Sequence, residues 1–152
     1  MNVWKHVGVA CLLVGMIVGC GRAEAQSAPA VVVRDAWVRE PAPSRDVTAV
    51  FAIVGNTGAV ARRIVGVMCE RAGKAELHEM KLAENGMMSM SPVSAIDVPA
   101  HGQVELKPGG LHVMLFGLKE RPVAGSTLPV VLLLDDGSKV TASATVRQAE
   151  MR

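Results

Sequence analysis

The run Leu111-His112-Val113-Met114-Leu115 carries an imidazole and a thioether two residues apart in an otherwise apolar stretch. On a strand, His112 and Met114 point to one face and Val113 and Leu115 to the other. The chain has nine methionines, and Met80, Met87, Met88, Met90 and Met114 fall in the same middle segment as His78, His101 and His112. Neutral imidazoles and thioethers suit a soft cation such as Cu(I), whereas calcium or magnesium wants several oxygens. A thioether also keeps its donor chemistry in an oxidising compartment, where a pair of thiols becomes a disulfide. Methionine equally fills irregular gaps in a core, and a single histidine in a strand is commonly structural. Residue types alone therefore leave both readings open.

The elements around these residues are short apolar runs of strand length. They are Val31 to Val38, Val47 to Val54, Arg62 to Met68, Ala75 to Met80, Met87 to Val93, Gln103 to Leu106, Leu111 to Leu118, Leu128 to Leu134 and Lys139 to Val146, most of them rich in Val, Ile, Leu or Thr. Between them stand turn residues: Glu40-Pro41-Ala42-Pro43-Ser44, Gly55-Asn56-Thr57-Gly58, Asn85-Gly86, Lys107-Pro108-Gly109-Gly110 and Asp135-Asp136-Gly137-Ser138. Turns recurring this often predict an all-β sandwich of one domain. Gly66, inside a strand pattern, marks an expected bulge.

The first residues are expected to direct export and to be absent from the fold. Lys5 and His6 precede the apolar run Val7 to Val18, which has the size of a signal-peptide core and falls short of the roughly 20 residues that span a bilayer. Ala23-Glu24-Ala25 fits a small-x-small cleavage site, giving a signal peptide over 1–25 and a periplasmic domain over 26–152. The alternative is a lipid anchor on Cys20, because Ile17-Val18-Gly19-Cys20 resembles a bacterial lipobox. Cleavage after Ala25 lowers the formal charge from +2 to +1. No basic cluster is interleaved with aromatics, and tyrosine is absent, so nucleic acid is not an expected partner. Cys69 is then the only cysteine of the mature chain, which excludes a disulfide framework; it is expected to be a buried thiol, the alternative being an exposed thiol at a strand end, able to dimerise on oxidation or to compete for a soft metal.

Three segments carry a family resemblance: Leu77-His78-Glu79-Met80, Glu84-Asn85-Gly86-Met87-Met88-Ser89-Met90 and Leu106-Lys107-Pro108-Gly109-Gly110-Leu111-His112-Val113-Met114. With them the chain resembles the PCuAC-type periplasmic copper chaperones. Eleven residues separate His78 from Met90, twenty-one separate Met90 from His112, and one separates His112 from Met114, which is similar to that family's histidine-methionine-histidine-methionine copper motif. The likeness runs from Asp35-Ala36-Trp37-Val38-Arg39 to the last strand. It implies a single cupredoxin-like (Ig-like) β-sandwich, Cu(I) held by His78, Met90, His112 and Met114, and delivery to a copper-acceptor protein such as the copper subunit of cytochrome c oxidase or its assembly factors. Two departures are visible: Glu79 stands where some members carry methionine after the histidine, and the Met- and His-rich tail of some members is reduced to Met151.

Several neighbours acquire expectations of their own. Met80 and Met88 share parity with His78 and Met90 and are candidates to flank the site, while Met68, Met87 and Trp37 are expected in the core, with shielding of a bound copper from water as the alternative for Trp37, and His101 in an exposed turn. The sites are expected to converge at one edge of a monomer, with the Asn85-Gly86 and Pro108-Gly109-Gly110 turns shaping the mouth. No Gly-x-Ser-x-Gly elbow, His-Glu-x-x-His helix or Gly-rich phosphate loop is present, so an enzyme is not expected. The competing classes are a copper electron carrier, which would need a cysteine beside two histidines, and a metal-free interaction module whose methionines are packing.

Overall fold

The computed structural model describes residues 30–84 and 86–148. The expected signal peptide with Cys11 and Cys20, the turn residue Asn85, and Met151 lie outside the described residues. Ten strands follow in order: β1 (Val31–Arg39), β2 (Thr48–Asn56), β3 (Arg62–Met68), β4 (Ala72–Leu82), β5 (Met88–Pro92), β6 (Ile96–Val98), β7 (Gly102–Leu106), β8 (Leu111–Leu118), β9 (Thr127–Leu134) and β10 (Lys139–Arg147). The described residues contain no helix, and so none long and apolar enough to cross a membrane.

Hydrogen-bonded neighbours run β5-β4-β8-β2-β1-β10-β9-β3-β6, with β7 paired to β2. The path folds on itself, because Leu77, Val113 and Leu115 from β4 and β8 share one core cluster with Ile64, Val67, Leu128 and Leu132 from β3 and β9. This is the all-β sandwich expected from the turn spacing. Strict alternation makes it possible: in β9 Leu128, Val130, Leu132 and Leu134 are buried while Thr127 and Pro129 are exposed.

Two bulges change which residues face the core. In β3 the register slips between Ile64 and Gly66, so Ile64 and Val67, three apart, both point inward. Gly66 was the residue expected to mark it; a Cβ there would lie 3.2 Å from Leu133 Cδ1. In β1 the register slips between Arg34 and Trp37, and Asp35 adopts φ 51°. Val31 faces the core before that extra residue and Val38 after it, and Trp37 is turned to the opposite side. The expectation that Trp37 is core is therefore corrected.

Met68 and Met87 also differ from expectation. Met68 follows the inward Val67 and is 46 % exposed, and Met87, just ahead of the edge strand β5, is 66 % exposed. Neither is core. The strand Ile96–Val98 was not foreseen; it pairs with β3 through three residues only, too few for a periodic signal. His101 is an exposed turn residue at φ 51°, as expected. Cys69 is half-buried and packs against the core cluster.

Candidate metal centre

β4 lies between β5 and β8, and register sets the face that the three strands share. His78 pairs with His112 and Glu76 with Met114 across β4 and β8, while Met80 pairs with Met90 across β4 and β5. Paired residues point the same way, so both histidines, Met80, Met90, Met114 and Glu76 occupy one face. Leu77, Val113 and Leu115 take the other and enter the core. The run Leu111–Leu115 thus answers two demands at once: its even positions face the site and its odd positions anchor the sheet.

Although this face looks away from the core, His78 and His112 are buried. The His78 and His112 rings lie 6.0 Å apart between centroids. His112 Nε2 is 3.1 Å from the Sδ of Met90. A cavity of about 440 Å³ lies against Met80, Met90, His112 and Met114, bounded by Pro108 and Gly109 on one side and by the segment 39–49 on the other. The four residues of the resemblance are therefore brought to one face at the sheet's edge, three of them on a common cavity and His78 beside His112. Met80 flanks the site as expected. Met88 lies on β5 opposite Leu82 and is 52 % exposed.

Turn chemistry fixes the imidazoles. Lys107-Pro108-Gly109-Gly110 closes on a bond from Gly110 N–H to Lys107 C=O at 3.1 Å, with Gly109 at φ 77°, a conformation glycine adopts without steric cost. The carbonyl of Gly110 then accepts two bonds, from Met80 N–H at 3.1 Å and from His112 Nδ1 at 2.8 Å. A carbonyl only accepts, so His112 carries a proton on Nδ1. In the neutral ring Nε2 then has a lone pair, facing the lone pairs of Met90 sulfur.

His78 is set in the opposite tautomer. Its Nε2 donates to the Glu76 carboxylate at 3.1 Å, and its buried Nδ1 has no hydrogen-bond partner among the described residues. The Lys74 ammonium, 2.7 Å from Glu76, and then His78 itself hold the Glu76 carboxyl below the usual carboxylate range. An orphaned imidazole nitrogen and a nitrogen-to-sulfur contact with no proton between them are what a soft cation would relieve. Among the described residues no three His, Cys, Asp or Glu side chains group as a metal site, so an ion held here depends on methionine sulfur.

Sequence reasoning missed Glu76 and Phe51. Glu76 stands two residues before His78, and strand parity alone puts it on the same face. Phe51 stacks on Trp37 with centroids 4.4 Å apart and reaches His112 at 6.2 Å. Its placement follows from the register of β2 with β8, in which Ala49 pairs with Met114 and Phe51 follows on the same face, a pairing that nothing local signals.

A family model described as "Putative lipoprotein LpqE-like" matches residues 31–146. The chain belongs to the LpqE-like family. This family is of the PCuAC type, in agreement with the resemblance drawn from the three segments. A relative described as "Putative lipoprotein Lxx21020", from Leifsonia xyli subsp. xyli, is 36 % identical over 147 residues, covering 91 % of this chain and 86 % of its own. Among solved structures, the Cu(I) form of DR1885 from Deinococcus radiodurans superposes with a TM-score of 0.62 at 32 % identity, covering 84 % of this chain and 85 % of that one. The copper-bound PCuAC domain of PmoF2 superposes at 0.68 with 20 % identity, covering 81 % of this chain and 97 % of that one. The LpqE-like chain thus has the cupredoxin-like sandwich fold of PCuAC domains.

Proposed function

We propose that this protein is an exported copper chaperone, not an enzyme, that binds one Cu(I) through His78, Met90, His112 and Met114 and passes it to an acceptor protein. The observation that carries the reading is the approach of His112 Nε2 to Met90 Sδ at 3.1 Å beside the orphaned Nδ1 of His78. The Cu(I) form of DR1885 and the copper-bound domain of PmoF2 support it, and the lipoprotein description of the relative supports export, with a signal peptide over 1–25 and a periplasmic destination.

Copper is cargo in this account. Two imidazoles and two thioethers hold Cu(I) without adding negative charge, so an acceptor with thiolate or additional imidazole ligands takes the ion downhill. Assembly of the copper sites of cytochrome c oxidase is the destination the resemblance implies. Cys69 belongs to the core side at the end of β3, away from the histidines on β4 and β8, so the cysteine-ligated electron carrier is disfavoured. X-ray absorption of the Cu(I)-loaded protein tests the reading: nitrogen and sulfur scatterers in equal number are expected. A copper shell of oxygen and nitrogen alone would reject it.

A further inference from the structure

The cavity beside Met90, His112 and Met114 has a second wall, for which holding an ion has no use. The segment 39–49 folds over the site and is tied from several directions: Glu40 N–H donates to Arg147 C=O at 2.7 Å, Arg121 Nε donates to Pro41 C=O at 3.0 Å, and Thr48 Oγ1 donates to Arg39 C=O. This segment contributes Arg39 and Arg45 to the lining, both exposed. Among the described residues neither has a carboxylate at ion-pair distance. Arg39 instead lies over the Phe51 ring, 5.6 Å from its centroid. The one carboxylate of the lining, Glu40, is already paired with Arg121 at 3.2 Å. The floor between is apolar, formed by Pro41, Ala42, Phe51 and Pro108.

We propose that this cavity is where a protein acceptor docks, inserting a loop whose copper-accepting side chain is flanked by aspartate or glutamate, with those carboxylates seated on Arg39 and Arg45. The inference rests on the copper reading above and names the chemistry of the partner. About 440 Å³ is room for a few side chains, which suits a loop tip rather than a flat face. Arginine presents a fork of donors that matches a carboxylate. Cu(I) adds one positive charge beside them, so an acidic loop is drawn to the loaded protein more strongly than to the emptied one, and the product complex separates as the ion leaves.

Two short synthetic peptides with the same pair of cysteines, one flanked by aspartates and the other by lysines, provide the acceptor for a test. Each protein variant is first titrated with Cu(I), which separates holding the ion from passing it on. Stopped-flow transfer from the copper-loaded protein should be at least about tenfold faster to the aspartate peptide at low salt, with the advantage shrinking as salt rises. Arg39→Ala with Arg45→Ala should remove most of that advantage, Arg45→Glu should reverse it, and Lys139→Ala at the far end of β10 should leave it intact. Copper held normally with the same peptide preference in all variants would overturn the docking inference alone. Failure of the parent to hold Cu(I) would overturn the copper reading and this inference with it.

Discussion

The imidazole of His112 on β8 and the thioether of Met90 on β5 meet at 3.1 Å across the full width of β4, which separates their strands. Two strand spacings amount to about 10 Å of sheet, so the contact exists only because both side chains lean over the intervening strand. Met80, paired with Met90 and tied through its N–H to Gly110, occupies the ground beneath. A site built this way depends on the register of three strands at once.

Glu76 should matter to copper binding without being a ligand. It accepts the proton-bearing Nε2 of His78 and leaves Nδ1 free. Glu76→Ala is expected to weaken Cu(I) binding by about tenfold or more and to change the His78 tautomer seen in nitrogen-15 NMR of the ring. An unchanged tautomer with unchanged affinity would remove Glu76 from the account.

Gly109 carries the turn that presents the Gly110 carbonyl. At φ 77°, with no atom within 4 Å of where a Cβ would stand, Gly109→Ala suffers from backbone strain rather than crowding. It should cost about 1–2 kcal/mol of folding stability, measured by denaturant unfolding, and should weaken Cu(I) binding because His112 Nδ1 loses its fixed acceptor. A variant as stable as the parent would show that the turn adapts.

These elements differ in how far the sequence disclosed them. β8 was legible from end to end, because His112-Val113-Met114-Leu115 alternates and Pro108-Gly109-Gly110 announces its start. The spacing of His78, Met90, His112 and Met114 was legible, and strand parity could have added Glu76. Trp37 was misplaced because one extra residue at Asp35 reverses the alternation of β1, and the only local mark of that bulge is the charged pair Arg34-Asp35 between Val33 and Ala36. The exposure of Met87 follows from its place ahead of an edge strand, which depends on the global strand order. The wall formed by 39–49 was legible only as a Pro-rich turn, since the bonds that fold it over His112 come from Arg121 and Arg147.

Trp37 should report on the ion. Once residues 1–25 are removed it is the only tryptophan, stacked on Phe51, which reaches His112. Adding Cu(I) anaerobically should change its fluorescence with an end-point at one equivalent. No change on loading would place the ion away from the Phe51 side of His112.

Acid should act on the far side of the molecule through Asp136. Hydrogen bonds from Ser138, and then the Arg62 guanidinium at 3.2 Å, hold its carboxyl below the ordinary value. A carboxyl whose folded pKa is depressed stabilises the protein above the unfolded pKa, and that contribution is lost as pH falls through the folded value. The parent should therefore lose thermal stability below about pH 4 more steeply than Asp136→Asn. Parallel profiles for the two proteins would contradict this.

The most direct test of the central claim is an anaerobic Cu(I) competition titration of the mature protein against a chromogenic chelator, beside a variant with Met90→Leu and Met114→Leu. Leucine keeps the packing nearly unchanged while removing both sulfur donors. The account predicts one tight equivalent in the parent and its loss in a variant that remains folded; equal binding by both proteins, or none by either, would contradict it.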